Sequence, residues 1–166
     1  MSIRQIKKLS MNEHYYALML QCFLTGYGRP CHLKMAFMSL PILMYSESRE
    51  KLKTANKASR IDTVFSSKQQ VQGADISGRE RLSGYAQRYD MLLPYCKKAV
   101  IILSSEGKAS ITGREISLLK TSDYKAYTGE VREWLRCAFY LGMLFSKTTY
   151  DHLAYYLGVE QDEKPY

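Results

Sequence analysis

Reactive side chains are scarce in this chain, and the patterns that usually assemble them are missing. Four cysteines and three histidines are spread over 166 residues. Cys22, Cys31, Cys96 and Cys137 lie far apart with no CxxC pair. That spacing argues against a zinc site and for free, buried thiols in a reducing compartment. There is no G-x-S-x-G turn, Walker-type glycine loop, H-E-x-x-H or EF-hand loop. The sixteen acidic residues form no nuclease-like D…E-x-K arrangement, and His14, His32 and His152 have no carboxylate at a useful catalytic spacing. These absences predict a non-enzyme that holds no metal and no cofactor. Long apolar runs are lacking too. Met35 to Ser46 is uncharged, but about a dozen residues are too few to span a bilayer. The opening MSIRQIKKLS lacks the apolar centre of a signal peptide. A soluble, cytoplasmic protein without a membrane partner is expected.

What is present reads as a folded, basic, tyrosine-rich chain. Its 46% hydrophobic and 24% charged residues are the proportions of an ordinary globular protein. The formal charge of +8 suits an acidic partner, whether DNA, RNA or an acidic protein face. Fourteen tyrosines suit extensive contact surfaces.

The strongest pattern is EVREWLRCAFYLGMLFSK, Glu130 to Lys147. Val131, Leu135, Ala138, Phe139, Gly142 and Phe145 recur at helical spacing, and Trp134, Leu141 and Leu144 widen the stripe. A core helix of ~27 Å follows from the length, with Trp134 inside and Gly142 admitting a crossing backbone.

Upstream, Ser10 and Glu13 form a capping box before a helix carrying Tyr15, Leu18, Met19, Cys22 and Phe23, with Gly26 as its left-handed end. CHLKMAFMSLPILMY is apolar on every face, which predicts two short buried helices meeting at Leu40-Pro41. Its methionines suit either gap-filling core or an adaptable surface. SESREKLKTANKASR holds the densest positive cluster, on a helix that Ser46 or Ser48 would cap. If helix persists, Lys53, Lys57 and Arg60 share a face at i, i+4 and i+7, either solvated or facing phosphate.

Ile61 to Val71 reads as a modest amphipathic segment and QGADISG as a loop, with a second capping box at Ser77 and Glu80. Leu82 to Leu93 marks a helix running to a kink at Pro94, and the following VIIL is compatible with helix or strand. Ala109 to Thr112 and Glu115 to Leu119 flank Gly113-Arg114 as a short hairpin. Thr148 with Asp151 would start a last helix ending at Gly158. The fold expected is mainly α, a compact helical domain with a winged-helix-like part carrying one short β-hairpin. It spans residues 10–159, between a flexible 1–9 and an acidic tail 160–166. Arg114 would sit at the wing tip and Lys108 at its base. In a DNA-binding winged helix such a tip meets phosphate; in an interaction-type one it braces the core.

The order of four passages resembles a known family. They are the helix ending CFLTGYGRP, MAFMSLPILMY followed by SESREKL, RERLSGYAQRYDMLLPYCKKAVIILSSEGKASI, and EVREWLRCAFYLGMLFSK with its short closing helix. The family is the middle component of three-component ABC (SMC-like) defence systems, including the LmuC-type subunit of Lamassu. The likeness covers most of residues 10–159 and is weakest over Lys53 to Ser77. It implies a non-catalytic adaptor between an SMC-like ABC ATPase, itself a dimer, and a nuclease effector. The effector would be held inactive until foreign DNA is sensed, with double-stranded DNA reached through the complex. Lys53, Lys57, Arg60, Lys108 and Arg114 are the candidate nucleic-acid contacts. A free-standing winged-helix DNA-binding regulator is the alternative.

Overall fold

The computed structural model describes residues 2, 12–65, 69–71, 74–76 and 84–159. Apart from Ser2, the N-terminus expected to be flexible, the acidic tail, the serine of the Ser10–Glu13 box and the whole Ser77–Glu80 box lie outside the described residues.

Helix α1, Glu13–Tyr27, begins where the Asn12 carboxamide oxygen accepts a hydrogen bond from the His14 amide at 2.9 Å. It buries Tyr16, Met19, Leu20, Phe23 and Leu24, and ends at Gly28, whose φ of +77° is the left-handed conformation expected at Gly26. Gly26 is still helical, and its place is fixed by packing. A β-carbon there would overlap the carbonyl oxygen of Phe139 on the long helix α7, Gly129–Phe145. The reciprocal contact lies at Gly142, where a β-carbon would overlap the Phe23 carbonyl and sit 2.8 Å from the Tyr27 nitrogen. The two helices therefore cross backbone against backbone, as the sequence stripe anticipated at Gly142. Phe23 meets Phe145 edge-on at 5.3 Å beside the crossing.

Between these helices the chain lays down the apolar run as β1, Cys31–His32, α2, Leu33–Phe37, and α3, Ser39–Leu43. Met35, Met38, Leu40, Ile42 and Leu43 are buried, so the methionines fill core. The break falls at Met38 rather than at Leu40-Pro41. Pro41 is the third residue of α3, where its missing N–H costs no helical bond. Helix α4, Ser46–Leu52, starts from Tyr45 with no side-chain cap; Ser46 and Ser48 lie inside it, and Ser48 faces the core. Helix α5 covers only Ile61–Phe65 of the segment expected to reach Val71. Gln69–Val71 (β2), at the end of the segment read as amphipathic, pairs antiparallel with Ala74–Ile76 (β3), inside the stretch read as loop.

Helix α6, Tyr85–Ser105, runs unbroken past Pro94, so VIIL is helical. Buried neighbours on both sides of the proline hold it. The Tyr85 hydroxyl donates to the Met38 carbonyl at 2.6 Å, and Cys96, Ala99, Val100 and Leu103 enter the core. The predicted hairpin follows as β4, Ala109–Thr112, and β5, Glu115–Leu118, joined by Gly113-Arg114 with Gly113 at φ +61°. β1 adds to the far edge of β5, Cys31 opposite Ile116, giving an antiparallel sheet ordered β1-β5-β4. Helix α8, Tyr150–Leu157, is capped by the Thr149 hydroxyl rather than by Thr148, and Gly158 ends it. The molecule is thus mainly helical with a small three-stranded sheet. Among the described residues no helix is long and apolar enough to cross a membrane.

Candidate functional site

The five candidate cations fall in two stretches of chain, residues 53–60 and 108–114. Lys53 closes α4 and ion-pairs with Glu50 at 2.8 Å. Lys57 and Arg60 are exposed on a turn over residues 53–60, so the i, i+4, i+7 face is not formed. The reason lies in α7 and the turn just beyond it. Arg136 donates to the carbonyls of Lys53 at 3.0 Å and Ala55 at 3.2 Å, and Lys147 donates to those of Lys57 at 2.5 Å and Ser59 at 2.6 Å. Side-chain donors thus take the carbonyls that helix would have used. Lys108 is half-buried and pairs with Glu106 at 2.7 Å, which holds the Glu106 carboxyl below its usual range. Arg114 is exposed at the hairpin tip, its carbonyl accepting the Leu33 amide at 2.8 Å. Lys57, Arg60 and Arg114 make no ion pair among the described residues.

Two of the histidines meet carboxylates from other parts of the chain. His152 is 3.5 Å from Asp62, and His14 is 4.0 Å from Glu106. His32 caps α2 through Nδ1 and stacks on Tyr150 at 4.6 Å. All four cysteines are free and buried; burial pushes the Cys31 and Cys96 thiols up to about 12 and Cys137 up to about 11. No group of three or more His, Cys, Asp or Glu among the described residues is placed to hold a metal.

A second site is built around Trp134, which the sequence stripe placed in the core. It is half-buried, on the edge of α7 that faces α4. The Arg49 guanidinium lies 3.9 Å from its ring centre, and the Tyr15 ring lies at 5.9 Å. Arg49 also donates to the Leu43 carbonyl at 2.8 Å, and burial lowers its pKa while raising that of Tyr15. Beside them opens a groove of about 470 Å³ lined by Arg49, Glu50, Lys53, Glu130, Glu133 and Trp134. Glu130 precedes Trp134 by one helical turn, so both share this edge. The sequence carried a hint in the single tryptophan set among Glu130, Arg132, Glu133 and Arg136. Tryptophan, tyrosine and arginine together are the residue types enriched at protein-contact hot spots.

A family model described as ABC-three component (ABC-3C) system Middle Component 3 matches residues 2–161. The chain belongs to this family. No curated protein and no solved structure matches it significantly. Membership of a three-component system implies partners in a complex.

Proposed function

We propose that this ABC-3C middle component is the non-catalytic adaptor of a cytoplasmic SMC-like ATPase complex acting against phage or plasmid DNA. It bridges a dimeric ATPase to a nuclease effector and helps hold the effector inactive until foreign DNA is sensed, in the manner of the LmuC-type subunit of Lamassu. The family match over residues 2–161 carries this reading. The contact-type chemistry of the Trp134 groove supports it, and the β4–β5 hairpin that follows α6 and pairs with β1 is compatible with the winged-helix-like unit over residues 10–159 that the proposal includes. Of the candidate DNA contacts, Lys57, Arg60 and Arg114 are the ones whose charge is not already paired among the described residues. Co-expression of the tagged chain with its neighbouring components tests the proposal. An intact complex containing an ATPase and an effector is expected; a homodimer that binds DNA alone would instead establish a free-standing regulator. In the intact complex, replacing Lys57, Arg60 and Arg114 with alanine should reduce the log–log salt slope of DNA binding by about 3.

A further inference from the structure

The charges lining the α4–α7 groove do not cancel. Glu50 and Lys53 neutralise one another at 2.8 Å, and Arg49 is turned to the Trp134 ring and the Leu43 carbonyl. Glu130 and Glu133 are exposed and make no ion pair among the described residues. The lining is therefore net negative on a chain whose total is +8. Arg49 and Lys53 offset two of the three lining carboxylates, Arg49 acting on Glu130 and Lys53 on Glu133, so the groove stays one negative charge away from neutral, and covering it favours an occupant that brings a cation. A phosphate backbone or an acidic helix is repelled from the same place. Trp134 adds apolar area to the groove lining, with Arg49 already occupying one region of its ring, so the occupant gains both an aromatic contact and an ionic one.

We propose that the α4–α7 groove docks a basic segment of a partner subunit, seating an arginine or lysine side chain against Glu130 and Glu133 beside Trp134. The inference rests on the adaptor reading, because it needs a partner subunit. It divides the surface by charge. The groove takes a cationic protein segment, whereas Lys57, Arg60 and Arg114 face polyanions.

The single tryptophan makes the test unambiguous. The full chain is labelled with 5-fluorotryptophan and assembled with its two unlabelled partner components, and its one fluorine resonance is followed. The resonance should move on assembly. E130K/E133K should weaken assembly at least tenfold and abolish the shift, while the milder E130Q/E133Q weakens it less and removes part of its salt sensitivity. Both sites are exposed, and far-UV circular dichroism verifies that each variant is folded. A complex that forms with the resonance unmoved overturns the groove proposal and leaves the adaptor reading intact. So does charge reversal that leaves affinity unchanged or tightens it. A shift that depends on the concentration of this chain alone assigns the groove to a second copy and also overturns the proposal. Failure of the unaltered chain to assemble at all defeats the adaptor reading itself.

Discussion

Gly142→Ala is a small change with a large expected cost. In an ordinary helix interior alanine is better than glycine by about 1 kcal/mol. Here the new methyl would meet the Phe23 carbonyl and lie 2.8 Å from the Tyr27 nitrogen. Both are backbone atoms, so no side chain can swing aside. The crossing must open by roughly 1 Å, a gap at which flanking contacts lose a quarter to a half of their dispersion energy. Those contacts include buried Leu20, Phe23, Leu24, Leu141 and Phe145. Overpacking in cores costs about 1–3 kcal/mol, and a clash between backbones belongs at or above the top of that range. After subtracting the propensity gain, the variant should lose about 2–3 kcal/mol, or roughly 4–12 °C in Tm for a chain of this size. Urea unfolding followed by circular dichroism and by Trp134 fluorescence measures it. Gly107→Ala is the control: φ is +68° but nothing lies within 4 Å, so only the left-handed penalty of about 1–2 kcal/mol applies. Adding Gly26→Ala to Gly142→Ala should be less than additive, because one opening serves both. A Gly142→Ala protein as stable as the unaltered one would show that the crossing has slack and would refute the reasoning.

Leu141→Ala, at a fully buried site on α7, should cost about 3 kcal/mol, whereas half-buried Trp134→Ala should cost less than that in the free chain while damaging assembly more; denaturation and complex formation measured in parallel check both. Arg136→Ala removes donors to the Lys53 and Ala55 carbonyls, so stability should fall by about 1–3 kcal/mol and amide exchange should rise across residues 53–60; unchanged exchange there would mean the turn holds itself. Burial, with Lys34 and Arg114 next, lowers the pKa of His32, while Glu115 and Asp151 oppose the shift. A folded-state value below the unfolded one gives stability that is complete above the unfolded pKa and is lost progressively as pH falls from there through the lower folded value. His32→Asn keeps an acceptor for the Lys34 amide, so its Tm should decline less than that of the unaltered protein between pH 7 and 5.

What could be read from sequence was what local periodicity encodes. The α7 stripe, the buried methionine run and the β4–β5 hairpin each declare themselves within twenty residues. The ion pairs that remove Lys53 and Lys108 from the free cations were also local, since Glu50 and Glu106 lie within three positions. Elements set by distant partners were not legible. β1 is two residues long and exists through a strand more than eighty positions away. The 53–60 turn replaces helix because Arg136 and Lys147 reach its carbonyls from across the fold. Gly26 reads as a helix stop by composition and proves to be a contact, because only the approach of Phe139 separates it from Gly28. Trp134 shows the same limit. A wide apolar stripe tells which side of a helix faces inward but not where its edge emerges into a groove.

The way the 53–60 turn is fastened has a consequence for how such a protein can change. Arg136 and Lys147 grip peptide oxygens, which every amino acid possesses. The path of the chain there is therefore nearly independent of the residues displayed at Lys53, Thr54, Lys57 and Ala58. Those positions can be rewritten from basic to neutral or acidic while the scaffold beneath them stays fixed, so a lineage can retune what this corner recognises without having to rediscover how to fold.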